Sequence, residues 1–144
     1  MTRGSLSVEV LWNDRDLLEV LVVVSNRCFS GATNLYVGLH DLRAAADQIC
    51  GFPTDPDDER RVLWGSEKPE SRTGGVALSF RCRDAVGHCV VDAELRSSDL
   101  GSEPAGQLVR LQLAFEPASM DRFVKALLDV DREKRGMAVL EGAA

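Results

Sequence analysis

A chain of 144 residues, 44% hydrophobic and 28% charged, fits one ordinary globular domain whose core needs no metal or disulfide staple. A formal net charge of −6 and the scattering of basic residues, singly or in pairs such as Arg60-Arg61, argue against nucleic acid and favour a basic protein as partner. No window approaches the roughly 18 apolar residues of a membrane helix. Residues 1–5 lead into strand-like alternation without a signal-peptide h-region, so a cytoplasmic protein with no membrane contact is expected.

Leu6, Val8, Val10 and Trp12 alternate with polar residues and predict a half-buried first strand with all four on its inner face. Residues 13–16 are a polar turn. Residues 17–25 are apolar at both parities, which predicts a central strand covered on both sides. A third strand follows over 29–39. Leu42, Ala45, Ala46 and Ile49 then take up helical spacing, with Asp41 in the first turn and Gly51 and Pro53 as stop signals. Residues 52–59 form a loop, 61–64 a short edge strand, and 67–75 the most flexible-looking internal stretch.

The middle of the chain fixes a register. Val76, Leu78, Phe80 and Cys82 alternate, as do Cys89, Val91, Ala93 and Leu95, and a turn centred on Ala85-Val86 pairs residues whose numbers sum to 171. Cys82 then faces Cys89, and Phe80 faces Val91, with every apolar partner on one side. A slip of one residue would oppose apolar and polar groups throughout. The next strand, carrying Val109, Leu111, Leu113 and Phe115, is placed with Leu95 opposite Val109. Glu94 then meets Arg110 in a favourable cross-strand pair. Met120, Phe123, Val124, Leu127 and Leu128 form the stripe of a final helix, and the pattern fades after Arg135.

The expected fold class is α+β: a curved, mainly antiparallel sheet in the order βββ-α-ββββ-α, with two helices packed on one face. Residues 1–135 form the single domain and residues 136–144 a frayed tail.

No chemical motif stands out. Cys28, Cys50, Cys82 and Cys89 lack zinc spacing, and Cys82 with Cys89 are expected as two reduced core thiols. His40 sits where strand becomes helix and His88 beside Cys89; neither belongs to a nucleophile motif. Gly31 and the pair Gly74-Gly75 lack the spacing of phosphate loops and suit a bulge and a turn. The carboxylates of Asp55, Asp57, Asp58 and Glu59 lack the glycine and distal glutamate of a calcium loop but suit steering of a basic partner. Trp12, Trp64 and Tyr36 are candidate surface anchors, and Trp64, next to that loop, is the one assigned to the interface.

Phe29-Ser30-Gly31 with Tyr36 on a long strand, Asp41-Leu42 opening a helix, Gly74-Gly75 entering paired strands, and a terminal helix with Phe123 and Leu127 together give a pattern over residues 6–130. It resembles small bacterial immunity proteins of the WapI-like group and their uncharacterised relatives. The resemblance implies a cytosolic protein that neutralises a toxin by binding it.

The expected function is therefore a non-enzymatic protein-binding domain, an immunity protein in its most specific form, with Asp55, Asp57, Asp58, Glu59 and Trp64 facing the partner. No cofactor, metal or catalytic residue is assigned. The alternative is a small-molecule-binding or oligomeric domain that uses the sheet face away from the helices. An enzyme built on His40 or His88 would require one of them in a cleft beside a carboxylate.

Overall fold

The computed structural model describes residues 3–66, 73–98 and 106–144. Most of the stretch expected to be flexible and most of the polar connection before the seventh strand lie outside them. The fold is α+β and antiparallel. Its elements are β1 (Ser5–Asn13), β2 (Leu17–Ser25), β3 (Ser30–Gly38), α1 (Asp41–Ile49), β4 (Glu59–Gly65), β5 (Thr73–Cys82), β6 (Cys89–Ser98), β7 (Leu108–Phe115), α2 (Pro117–Glu133) and β8 (Met137–Glu141). The strands divide between two four-stranded sheets: sheet A in the order β3-β2-β1-β8 and sheet B in the order β4-β5-β6-β7.

In sheet B the β5–β6 and β6–β7 pairings follow the expected registers. Cys82 pairs with Cys89, Phe80 with Val91, Leu78 with Ala93 and Val76 with Leu95, while Leu95 faces Val109 and Glu94 faces Arg110. The inner face buries Leu78, Phe80, Val91, Leu113 and Phe115. Phe80 and Phe115 meet edge to face at 6.1 Å, and Phe52 from the loop after α1 packs near both. Each such ring contributes roughly 1.5–3 kcal/mol through the apolar area it removes from water.

Sheet A departs from expectation in three ways. First, β2 is central, but only Leu18, Val20, Val22 and Val24 enter the core; Leu21 and Val23 are half-buried on the opposite face, which no helix seals. Its double-sided apolarity reflects an outer surface rather than a second covering layer. Second, residues 137–141 do not fray. They form β8, antiparallel to β1, with Leu6 opposite Leu140 and Val8 opposite Ala138. The chain continues to bind after the strand, with Gly142 N–H donating to Gly4 C=O and Ala143 N–H to Ala114 C=O. Third, the β1–β2 register shifts between Val10 and Trp12. The extra residue, Leu11, turns Trp12 from the inner face to the outer one, because a one-residue bulge inverts the parity of all that follows.

The helices pack on each other, α2 also on β8 and α1 also on β4 and β3. The helix α1 buries the expected Leu42, Ala45, Ala46 and Ile49. The stripe of α2 is Met120, Phe123, Val124 and Leu127, continued by Val130; Leu128 faces outward. Buried Asp131 on α2 caps α1 from outside, since its Oδ1 accepts from Arg43 N–H at 3.3 Å. A carboxylate there complements the positive end of the α1 dipole.

Candidate functional site

The acidic loop is only partly a surface feature. Asp55, Asp57 and Glu59 are exposed, but Asp58 turns inward. Its carboxylate accepts from Thr54 N–H (2.8 Å) and Thr54 Oγ1 (3.1 Å), and from Arg60 Nε (3.2 Å) and Nη2 (3.0 Å). The Arg60 hydrogen bonds, then the Thr54 N–H, hold the Asp58 carboxyl below its usual range. Arg60 also donates through Nη1 to Cys50 C=O at 2.6 Å and Gln48 C=O at 3.3 Å, and its guanidinium lies 5.9 Å from the Phe52 ring centroid. Asp58 and Arg60 thus clamp the loop to the carbonyl end of α1, which gives Asp58 a structural role.

Trp64 is likewise removed from the surface. Even positions on β4 face inward, and its side chain is only 5% exposed, within the core. The expected pairing of Trp64 with the acidic loop on one binding surface does not hold.

The cysteines divide as the register requires. Cys89 is buried beside half-buried Cys82, and Cys28 and Cys50 are exposed. Burial, followed by the Cys82 thiol beside it, pushes the Cys89 thiol up to about 11, which makes it a poor nucleophile at neutral pH. Cys82 Sγ sits 3.7 Å from Asp55 C=O.

Neither histidine completes a catalytic set. His40 caps nothing; its Nδ1 is 3.3 Å from Asp131 Oδ2 while its ring is mostly exposed. His88 Nδ1 lies 2.6 Å from Asp84 Oδ2, and that hydrogen bond, ahead of the one from Val86 N–H, lowers the Asp84 carboxyl below its usual range. His88 does line a cleft of about 510 Å³, with Arg83, Asn26, Cys28, Phe29 and Phe115. Cys28 makes no hydrogen bond with His88; its N–H is held instead by Asn26 Oδ1 at 2.8 Å. His88 therefore meets the condition set for an enzyme, a histidine in a cleft beside a carboxylate, while among the described residues no nucleophile is hydrogen-bonded to it.

The feature that alternation alone missed is the outer face of sheet A. The bulge places Trp12 opposite Glu19, and Glu19 lies opposite Tyr36 across β2. The two rings meet edge to face, with centroids 6.4 Å apart and planes at 88°, and they are 47% and 46% exposed. On the same face half-buried Leu21 and Val23 follow along β2, and exposed Met137 lies on the β8 edge with Glu9 of β1 between it and Leu21. Leu17, at the start of β2, lies at the other end of that face. Glu19, held by Asn34 Nδ2 at 3.1 Å, lies between the two rings, and Ser7, Glu9 and Asn34 share the face. An exposed Trp–Tyr pair set among polar groups has the composition of protein interfaces.

The outer face of sheet B has the opposite chemistry. Arg61, Arg81, Arg83, Arg96 and Arg110 share it with the carboxylates of Glu59, Asp92 and Glu94. The basic residues that lie apart in the sequence are brought together by the registers, so the surface does carry an arginine cluster.

No family model, curated protein or solved structure matches the chain.

Proposed function

We propose that this chain is a non-enzymatic protein-binding domain whose outer face of sheet A docks the partner. One observation carries the reading: the exposed edge-to-face pair of Trp12 and Tyr36 on a rigid antiparallel sheet. Neither ring is needed to fill the core, and burying both against a partner would remove large apolar area at little entropic cost. The exposed carboxylates of Asp55, Asp57 and Glu59 supply long-range attraction for a basic partner. In its most specific form the partner is a toxin that the domain neutralises by occlusion. The pattern resemblance to small immunity proteins and the acidic net charge support that form.

Affinity capture from the native host, run with wild type beside a Trp12→Ala/Tyr36→Ala variant, tests the reading. The protein retained by wild type is then titrated against both. The expected result is one stoichiometric partner whose affinity falls at least about tenfold in the variant. Equal affinity for both forms would overturn the assignment of the face. A partner harmless when expressed alone would overturn the immunity form and leave the docking face standing.

A second reading rests on the cleft at the junction of the sheets. Its volume and its mixture of Phe29, Phe115, Arg83 and His88 meet the usual description of a small-ligand site. Fragment screening by NMR would distinguish it, because shifts confined to these residues would assign a ligand to the cleft and not to the sheet A face.

A further inference from the structure

The outer face of sheet B is built as a shallow trough. Along the middle of β5 the outward residues are small, Ala77 and Ser79, while the neighbouring strands present larger ones. Three adjoining depressions of about 190, 390 and 530 Å³ follow this line. The first two share Arg61, Ala77, Glu94 and Arg110 and form one channel; the third meets it at Gln112 and shares Arg83, Gln112 and Ala114 with the cleft at the junction of the sheets.

Arginines recur along it in successive rows. Arg96 pairs with Gly75 at one end, and Arg110 lies in the next row opposite Glu94. Arg61 follows opposite Ser79, then Arg81 opposite Glu59, and Arg83 stands beyond. Rows on one face of a strand are about 6.8 Å apart. Among the described residues, the channel's own carboxylates leave donors of Arg81, Arg96 and Arg110 unused. Asp92 accepts from Arg81 Nε at 2.9 Å and from Gln112 Nε2 at 2.6 Å. Glu94 is shared between Arg96 at 2.8 Å and Arg110 at 3.6 Å. Each guanidinium carries five donors, and Arg110 is 72% exposed. The Asp92 hydrogen bond holds Arg81 firmly protonated. Surplus donors therefore line a channel on a protein whose net charge is otherwise acidic.

We propose that this channel binds an extended acidic polypeptide segment with carboxylates at alternate residues. The charge is complementary, and guanidinium forks match carboxylates in pairs. An extended chain lying along β5 repeats its side chains on one face at the spacing of the arginine rows. The 75–83 stretch spans about 26 Å, enough for some eight residues of such a chain. Single-stranded nucleic acid fits less well, because the face offers no Phe, Tyr or Trp on which bases could stack. The inference is independent of the docking face on sheet A.

Fluorescence anisotropy with labelled octapeptides and the full chain tests it. The probes are alternating Glu-Ser, the same composition in two blocks, alternating Lys-Ser, and an oligo-dT of eight nucleotides. Alternating Glu-Ser is expected to bind at least about threefold tighter than the block peptide, to weaken with added salt, and to outcompete oligo-dT. Arg83→Gln and Arg110→Gln should each weaken it about two- to fivefold with the melting temperature unchanged. Trp12→Ala/Tyr36→Ala should leave it unchanged. Equal binding of alternating and block peptides, tighter binding of oligo-dT, no binding of the Glu-Ser probe, or full binding by both arginine variants would each overturn the proposal.

Discussion

Replacing Arg60 by Met keeps most of the aliphatic stem and removes the fork that joins the acidic loop to α1. Four hydrogen bonds are lost: two charge-assisted ones to Asp58 and two to the carbonyls of Gln48 and Cys50. The Asp58 side chain, only 11% exposed, is left with Thr54 as its partner. An ionised group stranded in that way, together with the lost helix-end contacts, should cost about 2–4 kcal/mol. Asp58→Asn keeps an acceptor for Thr54 and should cost about 1–2 kcal/mol. In the double variant the losses should fall short of additivity by about 1.5–3 kcal/mol, which is the worth of the pair. Urea denaturation followed by circular dichroism measures all four proteins. With a slope near 2 kcal/mol/M the Arg60→Met midpoint should drop by roughly 1–2 M. The pH dependence has a definite sign. The folded Asp58 carboxyl sits below its ordinary value, so its contribution is full above about pH 4–5 and disappears as pH falls through the lower folded value. The coupling should therefore be large at pH 7 and smaller in acid below the ordinary carboxylate range. A cost under about 0.5 kcal/mol for Arg60→Met, or equal coupling under both conditions, would refute the clamp.

Three further outcomes follow from named contacts. Leu140→Ala should cost about 2–4 kcal/mol in the same urea assay, because its side chain is fully buried opposite Leu6; a neutral effect would return residues 137–141 to a loose tail. In native-state alkylation at pH 8 read by mass spectrometry, exposed Cys28 and Cys50 should label well before Cys89, and equal rates would contradict its burial. Changing Asp55, Asp57 and Glu59 to their amides should slow association with the partner by about threefold or more at low salt and leave folding stability nearly intact, and stopped-flow rates unchanged by the triple substitution would remove the loop from the encounter.

The sequence was most legible where alternation is strict and both partners are near in the chain. One turn sets β5 against β6, and a single charge pair, Glu94 with Arg110, chooses the β7 register, so these three strands of sheet B could be aligned residue by residue, whereas β4 was read only as a short edge strand. Helix stripes were legible for the same reason of period. The bulge was not, because Leu11 and Trp12 are both apolar and either parity satisfies the pattern. Its consequence reaches the candidate site, since Trp12 moves from core to surface beside Tyr36. Trp64 was misplaced in the opposite sense: its neighbour Val62 already marked the inner parity of β4, but the charges before it drew attention to the surface. The strand β8 escaped notice because five residues near a chain end carry little periodic signal, and its reason for being ordered, the open edge of β1, is a tertiary fact. The arginine face was hidden by its distribution, one or two residues per strand, although the polar partners of the registers already placed Asp92 opposite Ser79 and Arg110 opposite Glu94.

The contrast between the two outer faces is what separates function from stability here. Inner faces must be apolar in any sheet that shares a core, so Leu78 or Val22 says nothing about purpose. An outer face with open solvent access has no such requirement, and charged or polar residues there would cost the fold little. Sheet B follows that expectation except at Leu63 and Leu108, on its outer edges, whereas sheet A sets two aromatic rings against each other in the middle of its polar residues. If Trp12 and Tyr36 merely stabilised the sheet, replacing them with Ser and Thr would cost the edge-to-face contact and some cross-strand packing, about 1–2 kcal/mol together. If they are kept for docking, the same double substitution should improve solubility and remove binding while shifting the urea midpoint by less than about 0.5 M. A larger loss of stability, with binding intact, would mean that the aromatic pair belongs to the fold and that the partner docks elsewhere.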